Sequence, residues 1–214
     1  MITKDDIVEW LKATAVVLEE NAQYLTDLDS PIGDADHGIN MDRGFKTVLS
    51  KLPAVVDKDI GTILKTTGMA LVTSVGGAGG PLYGSFFMEA GKAVAGKMEL
   101  SNEDLVNLID AGLKGVVRIG KTNLNDKTMV DAIHPALEAL RQAFADGKDT
   151  IEALRLMTDA AYKGMKATIP MLAKKGRASY VGERSIGHQD PGATSAYLIL
   201  RTLMETIESR YRSK

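Results

Sequence analysis

The sequence predicts an all-α protein, one domain of eight helices in up-and-down order with each helix antiparallel to the next. Three observations carry this expectation. Apolar residues recur at the helical period in eight separate stretches of the 214-residue chain. No stretch shows the sustained apolar/polar alternation of a half-buried strand. Neither an internal repeat nor a low-complexity linker divides the chain, so residues 1–214 are read as a single domain.

The first helix starts at Thr3, which with Asp6 makes a capping-box pattern, and runs to about Leu25 on Ile7, Trp10, Leu11, Val17 and Leu18. Met41, Phe45, Val48 and Leu49 carry the second until Pro53; Ile60, Ile63, Leu64 and Leu71 carry the third, which stops at Gly76. Pro81 suits the first turn of the fourth. Ser101 with Asp104 opens the fifth, on Leu105, Leu108, Ile109 and Val116, and Met129, Ile133, Leu137, Leu140 and Phe144 mark the sixth. Asp146-Gly147 breaks the chain, and Asp149 then caps a seventh helix carrying Ile151, Leu154, Met157 and Ala161. Tyr197, Leu198, Leu200, Leu203 and Ile207 mark the last.

Composition excludes several function classes. A net charge of −2 argues against a polybasic nucleic-acid binder, and the absence of cysteine removes disulfide frameworks, zinc–cysteine sites, iron–sulfur clusters and thiol nucleophiles. That absence suits a reducing cytoplasm. The N-terminal MITKDDIVEW lacks the apolar region of a secretory signal. Thr66–Met88 is uncharged and long enough to cross a bilayer, but its glycines and Pro81 make it two buried helix ends joined by a loop, not a membrane span.

In an up-and-down order, the junctions after helices 1, 3, 5 and 7 lie at one end of the domain. The unusual sequence falls in those four: Asp29 to Asn40, Gly76 to Gly80, Ile119 to Thr128 and Lys174 to Gly192. The first holds Asp29, Asp34 and Asp36 beside His37. Three carboxylates this close repel each other unless a cation offsets them, and oxygen-only donors favour Mg²⁺ or Ca²⁺. An EF-hand is excluded, because Ile39 stands at the sharp-turn glycine position and Phe45 at the bidentate glutamate. Turn and N-cap aspartates in a solvated loop are the alternative.

Gly76-Gly77-Ala78-Gly79-Gly80-Pro81 exposes successive backbone N–H groups at a helix start, an arrangement that cradles phosphate or simply serves close packing. No Gly-Lys-Ser/Thr follows, so it is not a Walker A loop. In the last junction Arg177 is a candidate bidentate clamp on phosphate oxygens, and Asp190 a candidate partner of an arginine or a ribose hydroxyl. His188 reads equally as a ligand or a satisfied structural histidine, and His134 as packing or surface. Gly120, Lys121 and Thr128 offer a further phosphate contact or a solvated turn. Carboxylates for a divalent metal, an amide nest and arginines at one end together point to a metal–polyphosphate site.

The blocks Gly33-Asp34-Ala35-Asp36-His37-Gly38-Ile39-Asn40, Gly76 to Gly84 and Lys175 to Gly192 closely resemble the DhaL family, the nucleotide-binding subunits of phosphotransferase-system-dependent dihydroxyacetone kinases. The resemblance runs in register from Trp10 to the final helix. It implies an eight-helix antiparallel barrel with ADP or ATP and two Mg²⁺ at one end. Asp29, Asp34 and Asp36 would be the metal ligands. His37, Gly38, Ile39, Asn40, Ala78, Gly79, Gly120, Met129, Arg177, Asp190, Pro191 and Gly192 would surround the nucleotide, and the chain would supply no catalytic residue beyond this metal–nucleotide site. In the family, a phosphohistidine on the partner DhaM rephosphorylates resident ADP, and the ATP phosphorylates dihydroxyacetone held on DhaK; the phosphate originates from phosphoenolpyruvate. A cytoplasmic phosphotransferase subunit of glycerol and dihydroxyacetone metabolism is thus implied, with no nucleic acid or membrane contact of its own. Two other functions stay open: a free-standing ATP-dependent kinase domain, and a nucleotide-sensing coregulator of a transcription factor. Many relatives have Ser where this chain has Gly79, so a hydroxyl contact to phosphate is missing here or replaced by a backbone amide.

Overall fold

Local capping sets most helix starts. In the computed structural model, which describes residues 1–212, Thr3 accepts from the N–H of Asp6 while the Asp6 carboxylate accepts from the N–H of Thr3, and α1 (Lys4–Glu20) follows. Asn21 then bends the chain, its side-chain amide donating to the Val17 carbonyl at 2.8 Å, and the rod continues as α2 (Ala22–Asp29). The expected first helix is therefore two, and it extends to Asp29, past the predicted Leu25. Next come α3 (His37–Lys51), a 3₁₀ turn at Leu52–Ala54, α4 (Ile60–Ser74) and α5 (Gly79–Ala93). The reciprocal box of Ser101 and Asp104 opens α6 (Asn102–Gly120). Then follow α7 (Val130–Ala145), α8 (Thr150–Ala167) capped by Asp149, a 3₁₀ segment at Arg177–Ser185, and α9 (Pro191–Arg212). Pro191 at the first position starts α9 earlier than the apolar pattern indicates.

The described residues are predominantly helical. The one departure is a two-residue antiparallel bridge, β1 (Ile2–Thr3) with β2 (Glu99–Leu100), too short to show alternation in the sequence. Consecutive helices pack against one another, and α9 packs on both α8 and α1. Buried Trp10 joins the first helix to the last through its indole N–H, which donates to the Ile199 carbonyl at 3.0 Å. Its ring lies 5.9 Å from Phe87, which also meets Phe45 and Phe86 edge-on, so one aromatic cluster ties α1, α3 and α5 into the core.

Pro135 lies inside α7 and has no N–H to offer the Asp131 carbonyl. Gly164 of α8 fills that gap: a Cβ there would stand 2.0 Å from the Asp131 carbonyl oxygen and 2.9 Å from the Pro135 ring. Gly164→Ala is expected to destabilise the protein by about 2–3 kcal/mol through overpacking, outweighing the ~1 kcal/mol that alanine gains in helix propensity. A lowered urea midpoint measures it.

Candidate functional site

Asp29, the last residue of α2, is buried and builds the first junction. Its Oδ2 accepts from the backbone N–H of Asp36 at 3.0 Å and of His37 at 3.2 Å, so Asp29 caps α3 across the loop. Asp36, at the N-cap position itself, makes no side-chain cap bond. Half-exposed Asp34 is reached by Arg177, whose Nε lies 2.8 Å from Oδ2 and joins the first junction to the last. His37 is half-buried, and its Nε2 lies 2.9 Å from the Ser195 hydroxyl, which lies 2.6 Å from the buried Tyr83 hydroxyl. Desolvation lowers the His37 pKa against the opposing pull of Asp29 and Asp36, and burial raises that of Tyr83, so both rings favour their neutral forms.

The glycine junction begins α5 without a side-chain cap: Ala78 stands at the N-cap, Gly77 turns in the left-handed region at φ 64°, and Pro81 contributes no N–H. The first-turn amides of Gly79 and Gly80 thus have no side-chain acceptor, as an anion-binding helix start requires. Arg43 fixes the neighbouring Asn40, donating to its Oδ1 at 2.6 Å and to the Ser74 carbonyl at 3.0 Å. Between α6 and α7, Asp126 accepts from the N–H of Asn123, and Asp131 from those of Asn125 and Thr128, giving this loop a fixed shape. Asp190 caps α9, its Oδ2 accepting from the N–H of Ala193 at 2.8 Å. Burial pushes its pKa up to about 7, with the Ala193 amide and Lys127 opposing and Asp131 and Asp29 adding to the rise.

All four junctions face one cavity of about 450 Å³. Asp29, Asp34, Asp36, His37 and Asn40 line it from the first, Gly76 to Gly79 from the second, Gly120, Thr122, Lys127, Thr128 and Met129 from the third, and Lys175 to Ala178 with Asp190, Pro191 and Gly192 from the fourth. Carboxylates on one wall, an uncapped helix start on another and a guanidinium at the mouth suit a phosphorylated ligand accompanied by a hard cation.

The model of the DAK2 domain family matches residues 31–205. The chain belongs to the DAK2 family. It is 48% identical over 94% of its length to the ADP-binding subunit DhaL of the phosphoenolpyruvate-dependent dihydroxyacetone kinase of Escherichia coli K12, covering 96% of that protein. It is 41% identical to the DhaL subunit of the phosphotransferase-system-dependent enzyme of Lactococcus lactis, over 97% of this chain and all of that one. A solved structure of the Citrobacter freundii dihydroxyacetone kinase in complex with AMP-PNP and Mg²⁺ superposes with a TM-score of 0.69 at 25% identity, over 93% of this chain. The chain spans about a third of that larger kinase.

Of the nucleotide-surrounding residues expected in this DAK2 chain, His37, Asn40, Ala78, Gly79, Gly120, Met129, Arg177, Asp190, Pro191 and Gly192 line the cavity, and Gly38 and Ile39 do not. Ile39 faces solvent. Gly38 serves a helix crossing, because a Cβ would lie 1.7 Å from the Ala22 carbonyl oxygen of α2. His188, Arg184 and Lys121 also lie off the cavity wall. Asp29, Asp34 and Asp36 all line it, yet among the described residues no three His, Asp or Glu side chains converge as a metal cluster. The donor set nonetheless fits a hard divalent cation: the three side chains offer only oxygen, and the carboxylates of Asp34 and Asp36 are not spent on helix capping.

Sequence reasoning missed Ser195 and Tyr83, which fix His37, and Lys127, which is buried in the wall. Tyr83 lies in the glycine block that carries the resemblance, but its partner is 112 positions away, and nothing local signals the contact.

Proposed function

We propose that this chain is the nucleotide-carrying subunit of a phosphoenolpyruvate-dependent dihydroxyacetone kinase. ADP is held in the cavity with two Mg²⁺, a phosphohistidine of a DhaM-type partner rephosphorylates it, and the ATP formed phosphorylates dihydroxyacetone on a DhaK-type partner to give dihydroxyacetone phosphate. The observation that carries this reading is the convergence of all four junctions on one cavity, in a chain 48% identical to a DhaL subunit. Identity to the Citrobacter freundii kinase is 25%, which favours the subunit over a free-standing ATP-dependent domain.

The eight-rod barrel fits the same reading. With α1 and α2 counted as one bent rod, each rod packs on the next and α9 packs on α1, which supports the single domain expected from the sequence. Among the described residues no helix is long and apolar enough to cross a membrane.

Asp29, Asp34 and Asp36 would hold the metal. Bound Mg²⁺ supplies neutralisation of phosphate oxygens as charge redistributes during in-line transfer. The amides at the α5 start bind phosphate, Arg177 closes the mouth, and Asn40 and the Asp190-Pro191-Gly192 turn position the rest of the nucleotide. No side chain of this subunit moves a proton, because the hydroxyl acceptor is activated on the partner.

Protein purified without added nucleotide, denatured and assayed for adenine nucleotide and Mg²⁺ is expected to release close to one ADP per chain. An empty protein that exchanges ATP freely would favour the ATP-dependent domain, and one that binds neither nucleotide nor Mg²⁺ would overturn both.

A further inference from the structure

Lys127 is 1% exposed and stands in the left-handed region at φ 64°, a conformation that a lysine adopts only where its surroundings impose it. Its ammonium donates to the carbonyl oxygens of Thr168 at 2.7 Å, Ser185 at 2.9 Å, Met171 at 3.2 Å and Ile169 at 3.4 Å. An ammonium has three N–H donors, so four carbonyls exhaust it and none remains for a ligand, although Lys127 lines the cavity. It is therefore not a phosphate ligand. The carbonyls come from two places: the end of the α8 region at 168–171, and Ser185 at the close of the 3₁₀ segment. Between them runs the strap that carries Lys175, Gly176, Arg177 and Ala178 to the cavity. Lighter ties accompany the ammonium: Gly187 N–H to the Ile169 carbonyl at 2.7 Å, Ala173 N–H to the Ser185 hydroxyl at 2.9 Å, and Lys174 N–H to the Asp126 carbonyl at 3.1 Å.

We propose that Lys127 is a positioning residue: its ammonium pins both ends of the 171–187 strap to the α6–α7 junction and so sets how long a nucleotide stays beneath Arg177. The proposal rests on the nucleotide reading of the cavity. The ammonium of Lys127 sits among four carbonyl oxygens and so bridges the two ends of the strap. Arg177 is exposed, and its ion pair with Asp34 alone does not hold a strap in place; the ammonium beneath supplies the rigidity.

The test uses the full chain with the substitution Lys127→Met, which keeps an unbranched chain one atom shorter and removes the charge. Amide exchange in the nucleotide-free protein is expected to accelerate across 171–187 and to stay as in wild type in α1, α4 and α5. Release of a fluorescent ADP analogue in Mg²⁺ is expected to accelerate about 10- to 100-fold, the loss that charge-assisted hydrogen bonds of this kind produce. In Lys127→Ala, methylammonium ion is expected to slow release again by returning an ammonium to the carbonyl cage, and wild-type exchange in α1, α4 and α5 separates a local pin from a general loss of structure. Wild-type exchange in the strap together with wild-type release overturns the proposal. Wild-type protein that binds no ADP overturns the nucleotide reading instead, and the exchange measurement still decides whether Lys127 pins the strap. Should Lys127→Met fail to fold, Lys127→Gln keeps an N–H donor for the carbonyls and removes the charge, and wild-type strap exchange together with wild-type release in that variant overturns the proposal.

Discussion

Asp34→Ala is expected to lower phosphotransfer on the order of 10³-fold or more while leaving the helices folded, the scale set by removing a group that neutralises developing charge. The separation of activity from stability follows from what Asp34 touches. Its side chain is 37% exposed and paired with Arg177, itself 68% exposed. Such pairs contribute at most about 1 kcal/mol to stability. Asp29 is the instructive contrast, because it is buried and holds the backbone amides of Asp36 and His37. Asp29→Ala therefore loses both the cap of α3 and the cavity, and cannot separate metal binding from folding. The check is a phosphotransfer assay with the partner proteins beside a thermal melt of each variant. Transfer at the wild-type rate in Asp34→Ala would remove this aspartate from the metal–nucleotide site.

What the sequence discloses and what it hides divide by range. The boxes of Thr3 with Asp6 and Ser101 with Asp104, and the cap at Asp149, are legible because donor and acceptor lie three residues apart. The gathering of the odd junctions is legible for a different reason: in an antiparallel chain every second junction shares an end, and unusual composition fell only on those. The bend at Asn21 is hidden, since the apolar period continues across it and only a side-chain bond to Val17 breaks the rod. Lys127 is hidden more thoroughly. Asn123 to Thr128 has the composition of a solvated turn, while the carbonyls that bury the lysine lie 41 to 58 positions downstream. Gly38 answers to a long-range demand as well, since its missing side chain serves the crossing of α2 and α3.

Asp190→Asn is expected to stabilise the nucleotide-free protein at pH 8 and to do so considerably less at pH 5. The carboxyl of Asp190 is 7% exposed and raised by burial to about 7 from 3.8, so the folded protein holds this proton more tightly than the unfolded chain does. Between the unfolded carboxyl range and about pH 7 the native state thus binds more protons, and stability falls as pH rises through that window before levelling off above it. Three charged groups act on the carboxyl: Lys127 favours ionisation, while Asp131 and Asp29 oppose it. Asparagine keeps an acceptor for the Ala193 amide and carries no charge to desolvate, so the variant escapes a penalty bounded by about 4 kcal/mol. Urea unfolding at both pH values measures the gap; a gap that does not widen from pH 5 to pH 8 would place Asp190 in an ordinary solvated setting. The same substitution is expected to weaken nucleotide retention, since Asp190 lines the cavity with Pro191 and Gly192. Under the proposed nucleotide reading the substitution raises stability and lowers retention, and the opposite signs of the two effects are the measurable form of that trade.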